Sequence, residues 1–116
     1  SKTMPFIDCK LTLKLSEEKR EAVKAELGRA VSLLRKSERY LMVGFAEGYE
    51  LYMAGKKLEK GAYVSVSLFG NASSSDYEKM TGVICEVFKE LLDIPPSAVY
   101  VTYHEVNDWG WNGANF

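Results

Sequence analysis

The sequence has few of the residues that most often hold metal ions or cross-link small secreted proteins. It contains one histidine and two cysteines in 116 residues. A zinc site needs three or four suitable ligands, and His104 has no second His or Cys at ligand spacing. Cys9 and Cys85 lie far apart in apolar, periodic segments, so we interpret them as small buried side chains. These scarcities argue against a metal site and against a disulfide framework.

The sequence also lacks a long apolar run and an excess of charge of one sign. No stretch reaches the roughly 18 apolar residues of a membrane span, and the first residues lack the apolar core of a signal peptide. Fifteen basic and sixteen acidic residues give a net charge of −1. We therefore expect neither a nucleic-acid nor a membrane partner. We expect a soluble protein made in the cytoplasm, and leave open its release without a signal peptide.

The first half of the chain has the pattern of a strand, a helix and a second strand. Strict alternation over 6–15 predicts a half-buried strand. Ser16 can cap a helix over 16–36, because acidic residues follow it and apolar residues recur at three- and four-residue steps. A second strand is predicted over 39–47. The segment 48–61 then links the two halves.

The second half repeats this plan. Alternation over 61–70 predicts a strand, and serines at the start of 73–93 precede apolar residues at helical spacing. Pro95 and Pro96 end that helix, and 98–106 supplies the returning strand. The tail, 107–116, holds two tryptophans and a terminal phenylalanine, which suggests that it docks on the chain's own body or on a neighbour.

Two strand-helix-strand units predict an α+β fold. Each helix connects parallel strands by a right-handed crossover, which gives a four-stranded mixed sheet with both helices on one face. The other face then lacks a cover, although it carries Tyr100 and Thr102 among other polar and aromatic side chains. Association with further copies of the chain is one physical way to bury such a face.

Several features together resemble the macrophage migration inhibitory factor family of the tautomerase superfamily, including its microbial homologues. They are Pro5 at the start of the first strand, Lys36 after the first helix, Tyr40, and the segments LFG, VYVTY and WGWNGANF. The resemblance covers Pro5 to Phe116. It implies a homotrimer with sites at subunit interfaces. It also implies keto–enol tautomerisation of phenylpyruvate-type or dopachrome-type compounds, without a cofactor.

The resemblance also assigns roles to individual residues. Pro5 matches the catalytic proline, whose free secondary amine is the general base. Lys36 matches the lysine that binds the substrate's carboxylate, and its charge would lower the pKa of the amine. Tyr100 matches a tyrosine from the adjacent subunit. Trp111 and Phe116 match aromatic wall positions, and Tyr40 lies at the rim. Phe69 matches the position whose backbone amide lies next to the catalytic amine, and Thr102 matches a position that makes a polar contact to the substrate.

Five departures from the family pattern bear on function. Phe69 stands where isoleucine is usual, Thr102 where asparagine is common, and Trp109 where an aliphatic residue is usual. The Gly-Lys-Pro around the pocket lysine is Arg-Lys-Ser here. The Cys-x-x-Cys pair of some members is absent, so we expect no thiol-redox activity.

The start of the chain decides whether Pro5 can act as a base. Residues 1–4 are a leader or a foreign remnant, and 5–116 form the predicted domain. If Pro5 is joined to Met4, its nitrogen is a tertiary amide with no usable lone pair. We expect Met4 to be the true initiator, removed after synthesis, and Ser1 to Thr3 to be foreign. With these residues attached, we expect a formed site with a blocked base.

Alternatives remain open at each level. Pro5 is also an ordinary strand-opening proline, Lys36 an ordinary cation at a helix end, and the aromatic residues ordinary core. A cytokine-like trimer that binds a protein receptor, with weak or no catalysis, is the alternative function. A trimeric scaffold with a vestigial site is a third interpretation.

Overall fold

The computed structural model describes residues 4–116, which form one mixed sheet with two helices on one face. The elements are β1 Pro5–Leu11, α1 Glu17–Ala30, β2 Met42–Ala46, β3 Tyr52–Met53, β4 Lys56–Lys57, β5 Ala62–Phe69, α2 Ser74–Leu92, β6 Val99–Val106, β7 Gly110–Trp111 and β8 Ala114–Asn115. The main sheet has the order β2-β1-β5-β6. β1 is parallel to β2, β5 is parallel to β6, and the central β1–β5 pair is antiparallel. The predicted α+β fold is confirmed.

Alternation in β1 and β5 separates the two faces of the sheet. Ile7 and Cys9 on β1, and Val64 and Val66 on β5, are fully buried against the helices. β1 ends at Leu11, four residues before the end of the predicted strand. The cause is Thr12, whose hydroxyl accepts a hydrogen bond from Gly61 N at 3.0 Å and donates to Glu59 O at 2.9 Å, which turns the chain out of the ladder.

Both helices begin at the serines that the sequence indicates. Ser16 Oγ accepts a hydrogen bond from Lys19 N at 3.1 Å, and Ser73 Oγ accepts one from Asp76 N at 3.0 Å. The first helix was predicted to reach Lys36, but its α-helical part ends at Ala30. A 3₁₀ turn, Val31–Leu34, follows, and the left-handed backbone of Arg35 (φ 59°) ends it. Short 3₁₀ turns of this kind are common at helix ends.

The core lies between the helices and the sheet, and the opposite face of the sheet is open in the single chain. Phe88 and Ile84 of α2 are fully buried in that core. On the open face, Tyr63 Oη lies 2.8 Å from Thr102 Oγ1, which lies 2.9 Å from His104 Nε2. At its edge, the Tyr100 side chain is 65% exposed. This face therefore remains available to another surface.

No helix in the described part of the chain combines the length and apolar character needed to cross a bilayer.

Glu47, directly after β2, fixes the start of α1 against the sheet. Its Oε1 accepts a hydrogen bond from Leu15 N at 2.8 Å, and its Oε2 accepts one from Arg20 Nε at 2.7 Å. The hydrogen bond from Arg20, and to a smaller extent that from Leu15, lowers the pKa of Glu47 below its usual value. The ionised carboxylate therefore favours the folded state.

We predict that Glu47→Gln lowers stability at neutral pH and that the loss shrinks in acid. A carboxyl group whose folded pKa is lowered stabilises the fold above its unfolded pKa, about 4.3. That contribution is lost as the pH falls through the folded pKa. Urea unfolding at pH 7 and at pH 3, at one protein concentration, measures the difference. Glu50→Gln is the matched control, because within residues 4–116 the one ion pair of Glu50 is an exposed contact with Lys57 at 3.8 Å. A Glu47 effect independent of pH would contradict this account.

Candidate active site

An open cleft of about 890 Å³ lies beside the first residue of β1. Its walls are mostly apolar and aromatic, and Arg39 is the one charged side chain among the described residues that line it. The lining residues are Met4, Pro5, Phe6, Arg39, Tyr40, Leu41, Met42, Ser67, Val106, Trp109, Gly110 and Trp111. A concave, mainly apolar site with few polar groups is typical of small-molecule binding.

Pro5 is buried in the wall of this cleft because strand pairing places it there. It is the first residue of β1 and lies opposite Leu68 of β5 in the antiparallel register. A proline is tolerated at the first position of a strand, where no ladder donor is required. Met4 precedes it, is 3% exposed and also lines the cleft. In this form of the chain the Pro5 nitrogen is an amide and cannot accept a proton.

The aromatic residues predicted for the pocket wall form a continuous chain of ring contacts. Tyr40 meets Trp111 edge to face, with 5.5 Å between the ring centroids, and Trp111 stacks on Phe116 at 6.3 Å. Phe116 in turn contacts Phe69, with the centroids 5.6 Å apart. The β7–β8 hairpin carries this tail, and Phe116 N donates to Trp109 O at 3.1 Å. Four of the predicted substrate-binding residues are therefore in contact, but only Tyr40 and Trp111 line the Pro5 cleft, whereas Phe69 and Phe116 are not among its lining residues.

Lys36 lies in a different cleft, of about 530 Å³, which Arg35, Asn71, Ser73 and Asp76 also line. Pro5 is not among the residues that line this second cleft. Partial burial lowers the pKa of Lys36 below its usual value. The structure therefore does not place Lys36 on the Pro5 cleft, and its assignment as the carboxylate-binding residue stays a prediction.

Tyr100 and Thr102 lie away from the Pro5 cleft of their own chain. β6 runs beside β5, where Tyr100 is opposite Tyr63 and Glu105 is opposite Leu68, the residue that pairs with Pro5. At the usual rise per residue, Tyr100 lies roughly 17 Å along the strand from Glu105. Tyr100 could thus reach a Pro5 cleft only on another copy of the chain, as the family resemblance implies.

Arg39 and Met42 also line the cleft, and the sequence had not singled them out as site residues. Both lie near Tyr40, in or just after the 3₁₀ turn Glu38–Tyr40. The spacing of 3₁₀ turns leaves no periodic signal, so only proximity to Tyr40 could have suggested them. Trp109, noted in the sequence as unusually large, lines the cleft as well.

The two cysteines and the metal-binding residue types add no second reactive centre. Burial raises the pKa of the Cys9 thiol to about 12, and that of Cys85 is also raised by burial. Both are free cysteines; Cys9 is buried as predicted, whereas Cys85 is only partly buried. Within residues 4–116, no group of three or more His, Cys, Asp or Glu side chains is arranged to hold a metal ion.

A sheet built from two β-α-β units, with a proline heading β1 inside an aromatic cleft, defines a protein of the tautomerase superfamily. The family model described as "Macrophage migration inhibitory factor (MIF)" matches residues 4–116. The chain belongs to the macrophage migration inhibitory factor family.

Individual relatives agree with this assignment. Macrophage migration inhibitory factor of Xenopus laevis is 28% identical over 64 residues, which make up 53% of this chain and 56% of that protein. The match thus spans about half the length of this curated relative. The crystal structure of Leishmania major MIF2 superposes with a TM-score of 0.91 at 30% identity, covering 97% of both chains. A homologue from Prochlorococcus marinus gives 0.85 at 24% identity, covering 96% of this chain and 98% of the other.

We predict that Arg35→Gly stabilises the protein by about 1 kcal/mol. Arg35 has a left-handed backbone (φ 59°), which glycine adopts without a Cβ penalty. Its ion pair with Asp76, 3.5 Å long, is lost, but the Arg35 side chain is 83% exposed and such pairs contribute little. Arg35→Ala is the matched control, since it loses the same ion pair and keeps the Cβ. Urea unfolding should show a higher free energy of unfolding for Arg35→Gly but not for Arg35→Ala. An equal loss in both variants would contradict this explanation from the backbone conformation.

Proposed function

We propose that this protein is a keto–enol tautomerase that acts on phenylpyruvate-type or dopachrome-type compounds, with Pro5 as its general base once Pro5 is N-terminal. The observation that carries the proposal is the position of Pro5, buried in the wall of an aromatic cleft. Met4, the residue bonded to its nitrogen, lines the same cleft. Removal of residues 1–4 would therefore leave a secondary amine facing the bound ligand.

A free amine at this position has the chemistry that tautomerisation needs. It accepts the proton from the carbon next to the carbonyl group, and a proton is delivered to the carbonyl oxygen to give the enol; the reverse steps restore the keto form. Apolar surroundings disfavour the charged amine and lower its pKa towards working pH. Tyr40 and Trp111 line the cleft, and their aromatic side chains favour a planar conjugated ligand.

The proposal includes a homotrimer in which neighbouring subunits complete each site. The family resemblance implies a homotrimer, and one solved structure with the same fold, at 15% identity, is described as a fused 4-OT asymmetric trimer. The open face of the sheet and the 65% exposed Tyr100 side chain fit burial against a second copy. Tyr100 then donates a hydrogen bond to a substrate held in the neighbour's Pro5 cleft. The family resemblance assigns the carboxylate contact to Lys36, a role that requires its side chain to reach the Pro5 cleft from the second cleft that it lines.

The N-terminal residue provides the direct test. Protein whose first residue is verified as Pro5 by intact mass should convert phenylpyruvate between its keto and enol forms. Protein that retains Met4 should have a turnover rate at least about a hundredfold lower, because removal of a general base costs at least about this factor. The change in absorbance of the enol measures the turnover rate of both proteins under the same conditions.

Two controls sharpen the N-terminal test. A Pro5→Gly variant that begins at position 5 has a primary amine in place of the secondary amine. It therefore separates the need for a free N-terminal amine from the need for proline. Loss of activity on retaining Met4 with unchanged unfolding behaviour assigns the effect to chemistry and not to folding. Absence of turnover by verified Pro5-first protein would contradict the enzyme proposal and leave the receptor-binding alternative.

A mixing experiment tests whether subunits share each site. We predict that Pro5→Gly and Tyr100→Phe proteins, each weakly active alone, regain activity when unfolded together and refolded as mixed trimers. The reason is that a mixed trimer contains interfaces where an intact Pro5 meets an intact Tyr100. The measurement is the turnover rate after refolding, compared with each variant refolded alone. Mixed trimers no more active than the average of the two would show that Tyr100 does not act across the interface.

A further inference from the structure

Arg39 lines the Pro5 cleft but has no role in the proposed reaction. Among the described residues that line this cleft, it alone has a charged side chain. Lys36, the cation that the family resemblance provides, lines the second cleft instead. A single cation among mainly apolar and aromatic lining residues marks a place where an acidic group of a ligand would be favoured.

Local contacts hold Arg39 in position. Its backbone N–H donates to Ser37 Oγ at 3.1 Å, which fixes the 3₁₀ turn that carries it. Its guanidinium lies over the Tyr40 ring, 5.4 Å from the centroid. Tyr40 is itself held by Trp111, with 5.5 Å between the ring centroids. Arg39 thus extends the aromatic wall with a positive charge.

No carboxylate in the described part of the chain neutralises this charge. Within residues 4–116, no Asp or Glu oxygen lies within 4.0 Å of an Arg39 side-chain nitrogen. The neighbouring Glu38 directs its carboxylate towards Gly28 of α1, where it fills the space that a Cβ would need. The edges of the Arg39 guanidinium are left to solvent or to a ligand.

We propose that Arg39 binds an acidic group of the ligand and makes the cleft selective for planar, conjugated anions. The planar fork of a guanidinium can donate two parallel hydrogen bonds to a carboxylate while its face rests on an aromatic ring. Arg39 is solvent-exposed, whereas Pro5 is buried. The acidic group is therefore bound at the outer end of the cleft, and the conjugated part extends inwards along Tyr40 and Trp111.

Binding of a non-reacting pair of ligands tests this inference without any turnover. Cinnamate and cinnamamide have the same planar skeleton, and only cinnamate carries a carboxylate. Both tryptophans of the chain, Trp109 and Trp111, line the cleft, so quenching of their fluorescence reports occupancy. We expect Arg39→Gln to reduce the preference for cinnamate over cinnamamide about tenfold. Arg39→Lys should retain part of the preference, because it keeps the charge and loses the fork.

Charge and salt controls distinguish a local contact from a general field. Arg29→Gln changes the net charge equally, but Arg29 lies on α1 beside Glu26 and does not line the Pro5 cleft. It should leave the preference for cinnamate unchanged. Added salt should weaken cinnamate binding to the unmodified protein more than to Arg39→Gln, since exposed charges are screened. Equal preference in the unmodified protein and Arg39→Gln, or no preference for cinnamate at all, would overturn the inference.

The kinetic form of this inference rests on the proposed tautomerase function. In Pro5-first protein, Arg39→Gln should raise KM for phenylpyruvate about tenfold, while kcat changes less than about threefold. In the unmodified Pro5-first protein, phenylpyruvate should have a lower KM than its methyl ester. In Arg39→Gln this difference in KM should disappear. The two proposals fail separately. Absence of turnover with an Arg39-dependent preference for cinnamate overturns the enzyme function alone, whereas turnover with an unchanged acid-to-ester ratio overturns the role of Arg39 alone.

Discussion

The antiparallel pairing of β1 with β5 is the interaction on which the rest of the structure depends. It joins the two β-α-β units at the centre of the sheet, where their buried side chains form one core beneath both helices. The same register places Pro5 opposite Leu68, and so sets the proline at the head of the sheet beside Phe69. A shift of one residue would turn Ile7 and Cys9 to the open face and move Pro5 out of the cleft.

The site combines this strand end with two segments outside the main sheet, the 3₁₀ turn Glu38–Tyr40 and the β7–β8 hairpin. The turn that carries Arg39 and Tyr40 precedes β2, and the tail that carries Trp111 and Phe116 returns to the cleft from the far end of the chain. Ring contacts between Tyr40, Trp111, Phe116 and Phe69 connect these segments to the sheet. Substitution of the usual isoleucine by Phe69 becomes understandable, because its ring gives the terminal Phe116 a partner.

Lys36 and Arg39 lie in two different clefts, which differ in their acidic partners. Lys36 and Arg35 lie with Asp76 in the second cleft, where an acidic partner is close, whereas Arg39 lines the Pro5 cleft without one in the described part of the chain. A ligand acid would thus find an unpaired cation at Arg39 and a partly desolvated one at Lys36. Arg35, at a position where the family resemblance implies glycine, has the left-handed backbone (φ 59°) that glycine adopts without a Cβ penalty.

The sequence by itself determined the order of the two helices and the four strands of the main sheet, the helix starts and the buried faces, since alternation, helical spacing and capping serines are local signals. The short hairpins β3–β4 and β7–β8 were not predicted. Ser16, Ser73 and the alternating residues of β1 and β5 all behave as these signals indicate. Only the tertiary structure decided where β1 ends, that Lys36 and Pro5 line different clefts, and that Arg39 lines the Pro5 cleft. These outcomes depend on long-range contacts, such as Thr12 with Gly61 and Tyr40 with Trp111, which no local pattern in the chain encodes.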